Sequence, residues 1–215
     1  DLIAKYGADA VRKGMKLCAP AGTDIPFDEA MCEQGRNFNN KIWNAFRLVK
    51  GWEVADTEQL EVAALAIDWF QNRLNQEVER VNDHFTKFRI SDALMVVYKL
   101  FWNDFCAWYL EMIKPAFGSP IDQKTFTATI NFFDKLLKLL HPFMPFITEE
   151  LWQNIEQRKD GETLMLQHTV NSEPFDENMI ADFDLACGAV VEVRALRQSK
   201  QISPRESLSL KVKGA

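Results

Sequence analysis

Four long stretches of this chain repeat their large apolar side chains at helical spacing, and that repetition leaves few folds other than a helix bundle. Phe38, Ile42, Ala45, Phe46 and Val49 fall on one side of a helix predicted over residues 28–49, with Asp28 as its N-cap. Ile67, Phe70, Leu74, Val78, Val81 and Phe85 stripe a second helix over 58–85. Phe101, Trp102, Phe105, Trp108 and Tyr109 predict a thick core face on a third helix, capped by Ser91 and stopped by Pro115. Phe126, Ile130, Phe133, Leu136, Leu137 and Leu140 stripe a fourth over 122–141.

Smaller pieces surround these. Two short helices open the chain, the first ended by Gly7 and the second running over 9–17, before Pro20, Gly22 and Pro26 break it. The apolar turn 141–146 precedes a helix through Ile155, with Thr148 predicted to cap it and Glu149 and Glu150 in its first turn. A polar linker is expected at 157–163. Beyond it lie a possible strand at 163–167, an amphipathic helix at 178–199 and an alternating strand at 207–213. The fold expected is mainly α, an antiparallel bundle with a small α+β piece at the C-terminal end. Asp1 stands where an initiator Met would, so the chain reads as a piece of a longer one.

Charge adds a local signal. With 25 Lys and Arg against 31 Asp and Glu, the chain carries a net charge of -6. Yet residues 34–52 hold Arg36, Lys41, Arg47 and Lys50 and no acid. At about 100° per residue, Arg36, Arg47, Asn40 and Asn44 fall within roughly 80° of one another, bordered by Asn37, Lys41 and Trp43, while the apolar set points the other way. Bases near a helix end complement the macrodipole, which accounts for Arg47 and Lys50 but not for Arg36 and Lys41. Two readings stay open: a solvated face, or a surface for unpaired nucleotides, since cations, amides and aromatics are the side chains that hold phosphates and stack on bases.

Catalytic patterns are missing from the sequence. It contains no P-loop, no GxGxxG and no G-x-S-x-G. Asp104 and Glu111 share a face of the third helix, but di-iron bundles use Glu-x-x-His and none occurs, so both are expected at a helix–helix contact. Cys18, Cys32, Cys106 and Cys187 form no CxxC and have no His at metal-ligand spacing, and read as reduced thiols of a cytoplasmic protein. No apolar run is long enough to span a bilayer.

Several ordered segments resemble one family. Tyr6-Gly7-Ala8-Asp9-Ala10-Val11-Arg12 is similar to the stretch that follows the KMSKS loop in class I aminoacyl-tRNA synthetases. The segment 19–24, with Phe27-Asp28-Glu29, resembles the next stretch of the valyl-tRNA synthetases, and Gly35 to Arg47 resembles their anticodon-domain entry helix. Two later strings, 101–111 and 141–152, look like further signatures in the same order.

The resemblance implies a class Ia anticodon-binding bundle over 36–158, preceded by a stem-contact segment over 1–35 and followed by the start of a C-terminal α/β region over 163–215. It implies a non-catalytic part, without cofactor or metal, of a monomeric cytoplasmic enzyme that joins valine to tRNA-Val using ATP and Mg²⁺ and clears misloaded threonine in a separate editing domain. The HIGH and KMSKS motifs are not in this sequence, nor is a C-terminal coiled coil. The valine anticodon ends in A and C. The role of reading those bases is carried onto Arg36, Asn40, Lys41, Asn44 and Arg47, with Trp43 as a stacking platform. Arg12, Lys13 and Lys16 are candidates for phosphate contact with the tRNA stem, with ordinary surface charge as the competing reading. Rival identities are the same domain of isoleucyl-tRNA synthetase and a helical protein-interaction module with a basic docking helix.

Overall fold

The computed structural model describes residues 1–18, 27–203 and 205–209. The chain divides into a large unit, Asp1–Phe175, and a small one, Asp176–Ala215. The segment 19–24 and the breakers Pro20, Gly22 and Pro26 lie outside the described residues, as do positions 210–213 of the expected strand.

The large unit is built of α1 (Leu2–Tyr6), α2 (Ala8–Cys18), α3 (Glu29–Lys50), α4 (Glu61–Thr86), α5 (Ile90–Lys99), α6 (Leu110–Ile113), α7 (Gln123–Leu140) and α8 (Pro145–Ile155). Asp28 caps α3 by accepting from the Ala30 N–H, and Asp122 caps α7 by accepting from the Thr125 N–H. Each offers a carboxylate to a backbone donor that has no partner within its own helix. The apolar stripes of α3, α4, α5 and α7 close on an aromatic core in which Phe38, Phe70, Phe101, Phe105, Tyr109 and Phe133 are fully buried. Phe105 and Tyr109 stack, while other rings meet edge-on, as between Phe105 and Phe133 at 5.5 Å and Phe70 and Phe132 at 5.0 Å. Polar atoms within it are paired: the Tyr109 and Thr129 hydroxyls are 2.8 Å apart, and Thr129 donates to the Thr125 carbonyl.

The third long helix departs from the expected period. Between α5 and α6, Leu100–Tyr109 is π-helical. Its i→i+5 bonding turns less per residue, so a pattern read at 3.6 residues per turn drifts around the axis. Phe101, Phe105 and Tyr109 are buried, but Trp102 and Trp108 are half-exposed. Glu111 is exposed and paired with Lys114 at 2.6 Å, away from any helix–helix contact. Asp104 lines a polar cleft of about 350 Å³ between α4 and α5, with Glu77 and Arg80.

Other expectations shift in detail. Ser91 does not cap α5; its hydroxyl donates to the Lys16 carbonyl at 2.6 Å, tying α5 to α2. Thr148 lies inside α8, which starts at Pro145, and its hydroxyl turns back on the Met144 carbonyl. Residues 163–167 are not a strand: Thr163 caps a 3-10 turn, Leu164–Leu166, and Glu149 accepts from the Leu164 N–H and the Thr163 hydroxyl at 2.9 Å each. A two-residue parallel ladder that the sequence reading missed joins β1 (Val54–Ala55) to β2 (Ile121–Asp122). The boundary expected at residue 35 falls inside α3, and α1 and α2 pack against that helix within the large unit.

The small unit contains α9 (Glu177–Ser199), capped by Asp176. Leu185, Val190, Val191 and Leu196 are exposed on it and only Ile180 is buried, so α9 lacks the buried apolar face expected for 178–199. Residues 207–209 adopt no regular structure, so the described part of the predicted strand is absent.

Candidate nucleic-acid interface

α3 turns one face to the core and the other to solvent. Gly35, Phe38, Ile42, Ala45 and Val49 are buried; Arg36, Asn40, Trp43, Asn44 and Arg47 are exposed on the opposite side. The spacing that buries every third or fourth apolar residue thereby aligns two guanidiniums, two amides and an indole along about 17 Å of helix. Arg47, Asn40 and Asn44 have no hydrogen-bond or ionic partner among the described residues. Trp43 is 42% exposed, and its inner edge is backed by Phe46 at 6.2 Å, which leans on Phe133 of α7. The indole is therefore a braced ring with a free face.

The two cations nearest the edges are already engaged. Arg36 is 3.5 Å from Glu33 and lies over the Tyr6 ring at 5.5 Å. Tyr6 in turn donates to Glu29, which also takes a hydrogen bond from Lys5 at 2.7 Å and is held below the ordinary carboxylate range by it. Lys41 is half-buried, its ammonium 5.6 Å from the Trp102 ring, on the seam between α3 and the π-helical segment. Lys50 donates to the Ile155 carbonyl and ties α3 to α8.

The three candidate cations of α2 stand differently: Arg12 is exposed, Lys13 buried and Lys16 half-exposed. Asp9 is buried and accepts from the Phe146 and Ile147 N–H groups at 3.3 and 2.7 Å, capping α8 from a distance in sequence. One turn on, the Arg12 guanidinium donates to the Phe143 and Pro142 carbonyls. Lys13 is 1% exposed, with its ammonium 4.6 Å from the Tyr98 ring and 5.5 Å from Phe38, and burial pulls its pKa down to about 8. Such a lysine presents no surface charge to a phosphate. Lys16 keeps a half-exposed side chain.

Phe117 adds a residue that the sequence reading passed over. It is fully exposed, in the loop between α6 and β2. Ile121, just after that loop, donates to the Glu53 carbonyl, and β2 pairs with β1, so the end of the loop is tied to the segment that follows α3. The available signal was a lone Phe among Pro, Gly and Ser, but only the ladder shows what its loop is tied to.

Residues 68–212 match the family described as "Anticodon-binding domain of tRNA ligase". The chain belongs to that family. The family match begins after α3, but similarity to individual members extends through it. The valine–tRNA ligase of Phocaeicola vulgatus is 58% identical over 100% of this chain. Those of Parabacteroides distasonis and Bacteroides thetaiotaomicron are 55% identical over 99% and 54% identical over 100%. This chain spans about a quarter of the length of these relatives: 24%, 24% and 25%. Among solved structures, LeuRS in a ternary complex with tRNA and LeuAMS, from Agrobacterium radiobacter, shares the fold over 83% of this chain and 21% of its own, at 14% identity and a TM-score of 0.55. Membership in this family agrees with a mainly α bundle. Among the described residues no helix is long and apolar enough to cross a membrane, and no group of three or more His, Cys, Asp or Glu is arranged for a metal ion.

Proposed function

We propose that this chain is the anticodon-binding part of a valine–tRNA ligase and that its partner is tRNA-Val. The observation that carries the reading is similarity to enzymes of that name from one end of the chain to the other. The bundle supports it physically by holding α3 so that Arg47, Asn40, Asn44 and the free face of Trp43 stand together without internal partners. Amides and guanidiniums offer donors and acceptors to base edges, and aromatic rings stack on unpaired bases. Phe117 offers a further exposed ring, on a loop tied at its end to the segment that follows α3. The function of the part is recognition. Ligation of valine, with ATP and Mg²⁺, belongs to the whole cytoplasmic enzyme, and no step of it is assigned to the residues of this chain.

The test is binding of an anticodon stem-loop with its last two anticodon bases exchanged. The valine stem-loop should bind at least tenfold more tightly than the exchanged one, a difference of about 1.4 kcal/mol. Equal affinity would leave phosphate contact without reading. Preference for an isoleucine stem-loop would transfer the domain to that synthetase.

A further inference from the structure

The turn between α4 and α5 breaks two local rules at one residue. α4 ends in a complete Schellman arrangement: the Phe88 N–H donates to the Phe85 carbonyl at 3.0 Å, and the Arg89 N–H reaches back to the His84 carbonyl at 2.8 Å. The left-handed position of that motif is ordinarily glycine, because a Cβ there crowds the backbone. Here it is Phe88, with φ of 57° and 79% of its surface exposed. A bulky ring in a left-handed conformation is strained, and an apolar ring in water gains nothing from burial. The two capping hydrogen bonds would form equally well with glycine, and among the described residues no ring contact holds the Phe88 side chain. Unrepaid local cost of this kind collects at functional positions.

The chemistry around the ring indicates what it meets. Phe88 stands between Lys87 and Arg89, both exposed. Lys87 pairs with Asp83 at 2.7 Å; Arg89 also acts on that carboxylate through its charge, but its guanidinium makes no direct hydrogen bond or salt bridge among the described residues. The Ser91 bond to the Lys16 carbonyl brings the half-exposed Lys16 to the same end of the unit. A single proud ring between cations suits a base that stacks and phosphates that follow it. A protein-docking site needs a broad contiguous patch instead.

We propose that this turn is a second RNA contact, in which Phe88 stacks on an unpaired base and Arg89 meets the adjoining phosphate. The proposal rests on the tRNA-binding reading above but places the contact away from the anticodon surface. Residue numbers rise together along α3 and α5, since Phe38 meets Tyr98 at 4.8 Å and Lys41 meets Trp102. Phe88 therefore lies roughly 25–30 Å from Arg47 along the bundle at about 1.5 Å per residue. The base it takes is outside the anticodon loop.

The experiment compares Phe88→Gly, Phe88→Trp, Arg89→Gln and Arg47→Ala in the full-length protein, with a whole tRNA-Val transcript and with the isolated anticodon stem-loop. Phe88→Gly relieves the backbone, so its Tm should rise by about 2–4 °C. Its affinity for the whole tRNA should nonetheless fall about tenfold, with the stem-loop unaffected. Phe88→Trp should keep the affinity, and Arg89→Gln should weaken it and flatten its salt dependence. If Phe88→Gly binds whole tRNA as wild type does while Arg47→Ala is weakened, the second contact is overturned and the anticodon reading stands. If the wild type binds neither RNA, both readings fall.

Discussion

Lys13 shows how far a single residue can depart from its sequence appearance. On a short helix next to Arg12 it looks like surface charge, yet the packing of α2 on α3 encloses it between Phe38 and Tyr98. Desolvation disfavours the ammonium, and the two ring faces return part of that cost. Replacing it by an apolar side chain of similar length should therefore stabilise the fold: Lys13→Met is expected to raise the unfolding free energy by about 1–3 kcal/mol, measured by urea melts at pH 7. The pH dependence has a definite sign. The folded-state pKa of about 8 lies below the ordinary 10.5, so between those values the unfolded chain binds more protons and stability from this group rises with pH. Across pH 8 to 10.5 the stability gap between wild type and Lys13→Met should narrow, and a constant gap would show that Lys13 is solvated. Cys106 is the uncharged counterpart, its thiol pushed up to about 12 by burial and inert at neutral pH.

At the scale of elements, helices are joined by few but specific devices. Asp9 and Arg12, one turn apart on α2, clamp the start of α8 by satisfying its free N–H groups and the carbonyls before it. Asp9→Ala should cost about 0.5–2 kcal/mol, lowering Tm by a few degrees with little change in helix content by circular dichroism. Gly35 is the close-approach point of α2 and α3: a Cβ there would sit 2.5 Å from the Ala10 carbonyl oxygen and 2.7 Å from its Cα. Because both atoms are backbone, one helix must move, and Gly35→Ala should destabilise by about 1–3 kcal/mol despite the better helix propensity of alanine. A melt equal to wild type would show that the two helices slide freely. The apolar stripes of these elements were legible in the sequence. The π-helical stretch was not, because its bonding is decided by how Phe101, Phe105 and Tyr109 fit between α4 and α7.

On the scale of the whole molecule, an acidic protein displays an acid-poor strip on α3. Its N-terminal end is tempered by Glu33 on Arg36, so the most available cation is Arg47. Binding of the valine stem-loop should weaken linearly in log–log terms with salt, by about 0.7–0.9 per phosphate neutralised, and Arg47→Ala should lower both the affinity and that slope without shifting Tm. Phe117→Ala removes a fully exposed ring, so it should leave the unfolding free energy within about 0.5 kcal/mol of wild type yet weaken stem-loop binding. Unchanged binding by Phe117→Ala would confine the surface to α3.

By itself the sequence determined where the long helices run and which side of α3 is displayed, because caps and apolar period act within a few residues. The core stripe that buries Phe38, Ile42 and Val49 necessarily turns Arg36, Asn40, Asn44 and Arg47 outwards. Only the tertiary structure decided what contacts between distant segments decide: that Lys13 is enclosed, that Asp9 and Arg12 serve α8 from more than a hundred residues away, and that the loop carrying Phe117 is tied at its end to the segment after α3. It also decided that Phe88 occupies a glycine-favouring position in water. Burial and cross-element hydrogen bonds depend on which neighbours arrive, and no local spacing encodes that.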